Sequence, residues 1–313
     1  MIRAARALAA GLWMVARAPF LVTGVLLITL ATAVPFGLVL GARLQTALAN
    51  QPPISRDAGE IDPEWWMEFR AHATGLEATF TPTVIGFAAP LDNLSALLDG
   101  TRRPLALAGP VALAGLVWAF LWAGILHRFY ERRAVSIREF LASCIRHGPR
   151  LAVVSLAAAG VYLVLYLTVH ALLFGPVYEW LAAQAASERD AFFWRVGLYA
   201  VFGMPLAAVG LIVDYTRIAL VTSPASSIRQ ALSVGAGFVR HHVTAVVMLY
   251  LSAGFLFAML LVTYGVTETL GGTRLNGWLG ILLGQACVVA RLVLRLVLGA
   301  AEMSLFTAGS HRQ

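Results

Sequence analysis

Arg291, Arg295 and Glu302 stand in an otherwise apolar stretch, at spacings of four and seven. On a helix those spacings put all three on one face. A second acid–base pair, Asp214 and Arg217, closes another apolar run. Counting ~1.5 Å per residue from Trp278 puts Arg291 about 20 Å along its helix, which is inner-leaflet depth. Ionisable groups at that depth are costly and are functional-site candidates by default. Asp214, Arg217, Arg291, Arg295 and Glu302 therefore form a candidate inner-leaflet ion-pair or lipid site. Two readings stay open: a structural ion pair with arginines snorkelling to the interface, or a site for a lipid headgroup or substrate. The same arithmetic puts Asp214 about 30 Å and Arg295 about 25 Å from the outer ends of their helices. It predicts that Asp214 meets Arg291 or Arg295 where the fourth and sixth spans touch.

The usual catalytic signatures are missing. There is no GxSxG, no HExxH and no Gly-rich phosphate loop after a strand. All 23 residues counted as Lys or Arg are Arg, so no P-loop lysine, Schiff base or pyridoxal-phosphate anchor is available. Cys144 and Cys287 are far apart and form no CxxC, zinc spacing or disulfide framework. The doublet His241-His242 suits one metal poorly, because neighbours on a helix point about 100° apart. Trp65-Trp66 reads as a pair of interface anchors, with a partner-binding patch as the alternative. These absences predict a protein that is not an enzyme and carries no metal or cofactor.

The elements that must position these residues are membrane spans. The chain is 59% hydrophobic and 12% charged, with mean hydropathy +0.78. A soluble domain carries roughly a quarter charged residues. Apolar runs long enough to cross a hydrocarbon core of about 30 Å fall near 19–40, 105–126, 151–174, 192–212, 243–266 and 278–298, the last extending to about 306. The expected fold is all-α: a polytopic transmembrane bundle of about six spans, one membrane domain over 1–313, with two cytoplasmic amphipathic surface helices. Residues 1–17 form a short amphipathic segment before the first span. A cleaved signal peptide is the rival reading, with Ala47-Leu48-Ala49 resembling a cleavage site, but the apolar run exceeds a typical h-region.

The sizeable polar stretch, 41–104, is expected outside the cytoplasm. Asp62-Pro63-Glu64 starts one helix there; Asp92-Asn93 starts another that Gly100 stops. The apolar run 80–89 is too short to cross. Arginines gather on the side holding both ends (Arg128, Arg132, Arg133, Arg138, Arg146, Arg150, Arg229 and Arg240 among them), and acids gather in the other loops. This positive-inside pattern predicts cytoplasmic N- and C-termini in a bacterial inner membrane. The pI near 10 then reflects orientation and anionic lipid headgroups, not nucleic acid.

One internal repeat is visible. Ser136-Ile137-Arg138-Glu139 and Ser227-Ile228-Arg229-Gln230 are each a capping box. Each opens an amphipathic segment, with Ile137, Phe140, Leu141, Cys144 and Ile145 as the first stripe and Ile228, Leu232, Gly235 and Val239 as the second. Arg146-His147 and Arg240-His241 end them, and Ala152-Val153-Val154 and Ala245-Val246-Val247 follow one residue out of register. Either 105–174 and 191–266 are parallel repeat units, or two helix starts look alike by chance. Gly37-x3-Gly41 and Gly280-x3-Gly284 would permit close helix contacts.

The segment from His127 to Tyr250 resembles a family of uncharacterised bacterial six-span membrane proteins. The features are Arg128-Phe129-Tyr130-Glu131-Arg132, Arg138-Glu139-Phe140, Asp214-Tyr215-Thr216-Arg217 and the basic helix from Ser227 to Arg240; Ala290 to Leu296 also matches. The plan is similar to membrane domains attached to glycerophosphodiester phosphodiesterases, without their catalytic barrel. The resemblance implies a fold without a function. The leading expectation is a non-catalytic membrane scaffold or accessory subunit that organises lipids or other membrane subunits. The alternative is a small transporter or lipid-handling protein using the Asp/Arg cluster.

Overall fold

The computed structural model describes residues 2–49, 63–81, 88–101, 103–271 and 277–310. The chain folds as α1 (Ile2–Ala16), α2 (Pro19–Ala49), α3 (Pro63–His72), α4 (Ala88–Asp99), α5 (Ala108–Glu131), α6 (Ile137–Leu165), α7 (Tyr178–Ala183), α8 (Glu188–Thr222), α9 (Ile228–His241), α10 (Val243–Gly271) and α11 (Gly277–Ser310). Among the described residues there is no strand. Six helical stretches are long and apolar enough to cross a membrane: Pro19–Thr46, Leu105–Glu131, Ile137–Ala183, Glu188–Thr222, Val243–Leu270 and Trp278–Gly309. The molecule is a six-span helical membrane bundle.

Both capping boxes form in full. Ser136 accepts from the Glu139 amide while Glu139 accepts from the Ser136 amide, and Ser227 and Gln230 do the same. The two segments then diverge. Residues 137–146 run without a break into the third span as α6. Cys144, His147, Gly148, Leu151, Val154 and Ala158 lie buried along it, and a buried line with helical spacing holds the helix continuous through Pro149. Ile137, Leu141 and Ile145 face outward instead of inward. The second segment is a separate helix, α9, because His242 leaves helical geometry (φ −121, ψ 25) before α10 begins. Its buried line is Ala231, Gly235 and Phe238, shared with the expected stripe only at Gly235. Both segments nonetheless cross the preceding span eight residues beyond the cap. A Cβ on Gly124 would meet Cys144 Sγ at 2.7 Å, and one on Gly235 would meet the Thr216 amide nitrogen at 2.7 Å.

The packed core gathers at the arginine-rich end. Ile125, Leu126, Phe129, Tyr215, Ile218, Leu220, Leu296 and Met303 are fully buried there. α1 lies along α11 so closely that a Cβ on Gly11 would sit 2.5 Å from the Val297 carbonyl oxygen. Arg132 donates to Thr307 (3.3 Å), and Arg150 donates to the carbonyls of Pro224 (2.6 Å) and Ser226 (3.0 Å). The expected glycine motifs make no such contacts among the described residues: there nothing lies within 4 Å of a Cβ on Gly37, Gly41 or Gly280, and Gly284 meets the Tyr264 hydroxyl at 3.6 Å.

At the opposite end, the described part of α3 runs from Pro63, and the expected cap Asp62 and residues 82–87 lie outside the described residues. α4 is already helical at Ala88, so Asp92 does not start it. Gly100 (φ 63) ends it. After Leu165 the third span passes through two π-helical turns, Tyr166–His170 and Leu173–Val177. These aim Tyr166 and His170 at the last turn of α4, at 2.5 Å from the Leu97 carbonyl and 3.0 Å from the Leu98 carbonyl.

Candidate functional site

Asp214, Tyr250 and Glu302 each lie seven or eight residues from the arginine-rich end of their helices. At ~1.5 Å per residue that is about 10–12 Å in, so three helices bring polar groups to one level. Asp214 is half-buried and accepts at Oδ1 from Arg217 Nη1 (2.9 Å), one helical turn on. Its Oδ2 accepts from the Tyr250 hydroxyl (2.9 Å). Arg217 Nη2 donates onward to Ser155 Oγ on α6 (2.9 Å). Glu302, 2% exposed on α11, lies beside the same tyrosine and Asp214, near enough for its charge to act on both. Tyr250 thus bonds one carboxyl group on α8 and has a second nearby on α11, and the hydrogen bonds join α6, α8 and α10.

This corrects the predicted pairing. Asp214 takes neither Arg291 nor Arg295 as its ion-pair partner. Depth along a helix sets the level of a side chain but not its direction around the axis. Arg217 is on the same face of the same helix and needs no interhelical register. The Arg295 guanidinium lies 4.2 Å from the Trp118 ring centroid and 5.6 Å from that of Trp122, a cation–π arrangement that partly offsets lost hydration. Arg291 is exposed on the bundle surface. Of the five predicted residues the structure bonds two, Asp214 and Arg217, and places Glu302 near them. Reading the sequence missed Tyr250, Ser155, Trp118 and Trp122. Counting from Val243 would have flagged Tyr250, which falls at the level of Asp214. Tyr215, next in the chain, stacks on Phe238 (4.8 Å between centroids), and its buried hydroxyl has no partner among the described residues.

The chemistry open to this arrangement is charge neutralisation and hydrogen-bond exchange. Among the described residues no group of three or more His, Cys, Asp or Glu could hold a metal ion. His241 Nδ1 faces the Gly237 carbonyl (2.7 Å) and His242 stacks on Phe238, so the doublet diverges. Trp66 packs with Phe69 and Phe80 (centroids 5.8 and 6.2 Å) in a loop-side aromatic cluster; the Trp65 side chain lies outside the described residues.

Compared with protein-family models, with curated proteins and with solved structures, the chain matches none.

Proposed function

We propose that this protein is a non-catalytic scaffold or accessory subunit of a bacterial inner membrane, with both termini cytoplasmic, which organises protein partners or lipids. The observation that supports this reading is how the polar cluster is used. Asp214, Arg217, Tyr250 and Ser155 are bonded to one another across three helices, with Glu302 of a fourth beside them, and work as a lock on the bundle. The fully buried residues of the arginine-rich end are largely apolar core, which suits a lock; Tyr162 on α6 and Tyr215 are its polar neighbours. The positive-inside bias supports the orientation, and the resemblance of 127–250 to six-span bacterial membrane proteins fits the same plan.

Extraction from native membranes in a mild detergent tests this. The protein should run in a defined complex larger than its own 33.5 kDa, with a partner in fixed ratio; migration alone in every mild detergent would count against it. An impermeant thiol reagent applied to spheroplasts should label Ser55→Cys, in a segment outside the described residues, and spare Ser136→Cys. The reverse pattern overturns the orientation.

One observation favours a second reading, a small transporter or lipid-handling protein: two carboxyl groups, Asp214 and the buried Glu302, stand beside one tyrosine. Proteoliposomes under a pH gradient decide it. A proton flux present in the wild type and absent in folded Glu302→Gln would displace the scaffold reading.

A further inference from the structure

A cavity of about 530 Å³ opens between the start of α2, the end of α5 and the start of α6. Two kinds of residue line it. Arg17, at the elbow before α2, and Arg128, in the last turn of α5, stand at its arginine-rich end; Val25 and Ile28 of α2, Leu121 of α5 and Phe140 of α6 are among the apolar residues that form its walls. No acid lines it. Neither arginine forms an ion pair among the described residues. Arg17 rests on the Trp13 ring, 3.9 Å from its centroid. The neighbouring Arg133, by contrast, is neutralised by Glu131 (3.3 Å) and Glu139 (3.4 Å). Two cations are thus left without counterions at the mouth of an apolar cavity.

The dimensions fit one leaflet. From Pro19, just past Arg17, to Ile28 is nine residues, or about 13–14 Å of helix, close to half of a hydrocarbon core of about 30 Å. A group that places negative charge at the arginines and hydrocarbon along the next ~15 Å satisfies both halves of the cavity. A soluble anion would leave the apolar wall empty, and a zwitterionic lipid would bring its own cation to two unpaired arginines. We infer that this cavity is a binding site for one anionic phospholipid, its phosphodiester held between Arg17 and Arg128 and an acyl chain lying against α2, α5 and α6. Bidentate guanidinium–phosphate contacts are the strong form of such recognition. The inference rests on the six-span membrane fold and is independent of whether the protein is a scaffold or a transporter.

Native mass spectrometry of the delipidated full chain in detergent, titrated with phosphatidylglycerol or phosphatidylcholine, tests it. The wild type should retain one phosphatidylglycerol with at least tenfold preference over phosphatidylcholine. Arg17→Gln/Arg128→Gln should lose that preference. Arg146→Gln, an exposed arginine outside the cavity, should keep it. Gly24→Leu is the second arm: Gly24 lines the cavity and nothing lies within 4 Å of a Cβ there. The substitution replaces a helical glycine by a better helix former and fills the acyl space with both charges intact. It should weaken phosphatidylglycerol at least tenfold even if loss of Arg128 disturbs folding. Equal retention of the two lipids, or unchanged binding in both Gly24→Leu and the double variant, overturns the site. So does full displacement of phosphatidylglycerol by inorganic phosphate at equal concentration, which would make it a plain anion site.

Discussion

Two aspartates in this molecule are each held by a tyrosine and an arginine, one in the arginine-rich end of the bundle and one at the opposite end, where α4 meets α8. Asp214 takes Arg217 and Tyr250, with Ser155 completing the arginine's contacts. Asp99, the last residue of α4, accepts from the Tyr199 hydroxyl, from Arg195 Nη2 (3.1 Å) and from Ser95 Oγ (3.0 Å), and Arg195 Nε donates to Tyr199 (2.8 Å). The same four side-chain types are used in both places. What differs is the solvent that competes for them. At Asp99 water can replace any lost partner, so the cluster positions α4 against α8 without strongly stabilising it. At Asp214 the alternative to a partner is hydrocarbon or core, so the same contacts become obligatory.

Removing one member of the inner pair therefore has the largest expected effect. Asp214→Ala leaves Arg217 uncompensated, and breaking such a pair costs about 3–5 kcal/mol, measurable as a shift in unfolding by steric trapping in bicelles. Asp214→Leu/Arg217→Leu should lie closer to wild type than either single change, since no lone charge remains. If the double variant is as unstable as the sum of the singles, the pair is not the unit argued here. The matching outer change, Arg195→Gln, should cost less than about 1 kcal/mol, as exposed pairs do.

Tyr250→Phe comes next. It removes the interhelical donor to Asp214 without removing charge, and an unmet buried acceptor costs about 1–3 kcal/mol. Its outer counterpart, Tyr199→Phe, should leave global unfolding unchanged within error, because water reaches Asp99. Equal losses at the two tyrosines would abolish the distinction between the clusters. Arg295→Gln sharpens it from another side: a cation over Trp118 and Trp122 contributes about 0.5–2 kcal/mol, with no effect on Asp214 if the two arginines act separately.

The contrast also separates what was legible from what was not. The spans and both capping boxes were readable because each signal lies within a few adjacent residues: an apolar run, or a serine with Glu or Gln three places on. Asp214 and Arg217 were flagged for the same reason. Tyr250 and Trp118 were not, because their role depends on which faces of α5, α8, α10 and α11 meet, and packing decides that. The outer cluster was missed altogether. Asp99 counted only as one acid among several in a polar region, and its partners lie about a hundred residues away on α8. The continuation of 137–146 into the third span was not legible from Arg146-His147, where the amphipathic stripe gives way to an apolar run; the buried face runs past both, and past Pro149.

The smallest expected effect is a dependence on pH confined to the outer cluster. The Tyr199 hydroxyl, then Ser95 and Arg195, hold the Asp99 carboxyl below its ordinary value of 3.8, against a smaller opposing effect of burial. A carboxyl whose folded pKa is depressed adds stability that is fully present above its unfolded pKa and is lost as pH falls through the folded one. The docking of α4 should therefore be constant from pH 7 to 5 and loosen only below about 4, the unfolded aspartate value. Spin labels at Leu94→Cys on α4 and Phe193→Cys on α8, both exposed positions, in a background with Cys144 and Cys287 replaced by Ala, report this as a distance distribution. It should stay narrow at pH 7 and 5 and broaden near pH 3. Tyr199→Phe removes the largest of the three contributions, so its broadening should begin at higher pH. Asp99→Asn has no proton to take up at this site and should give one distribution at every pH. A wild-type distribution that broadens between pH 7 and 5 would mean that a different group controls the docking.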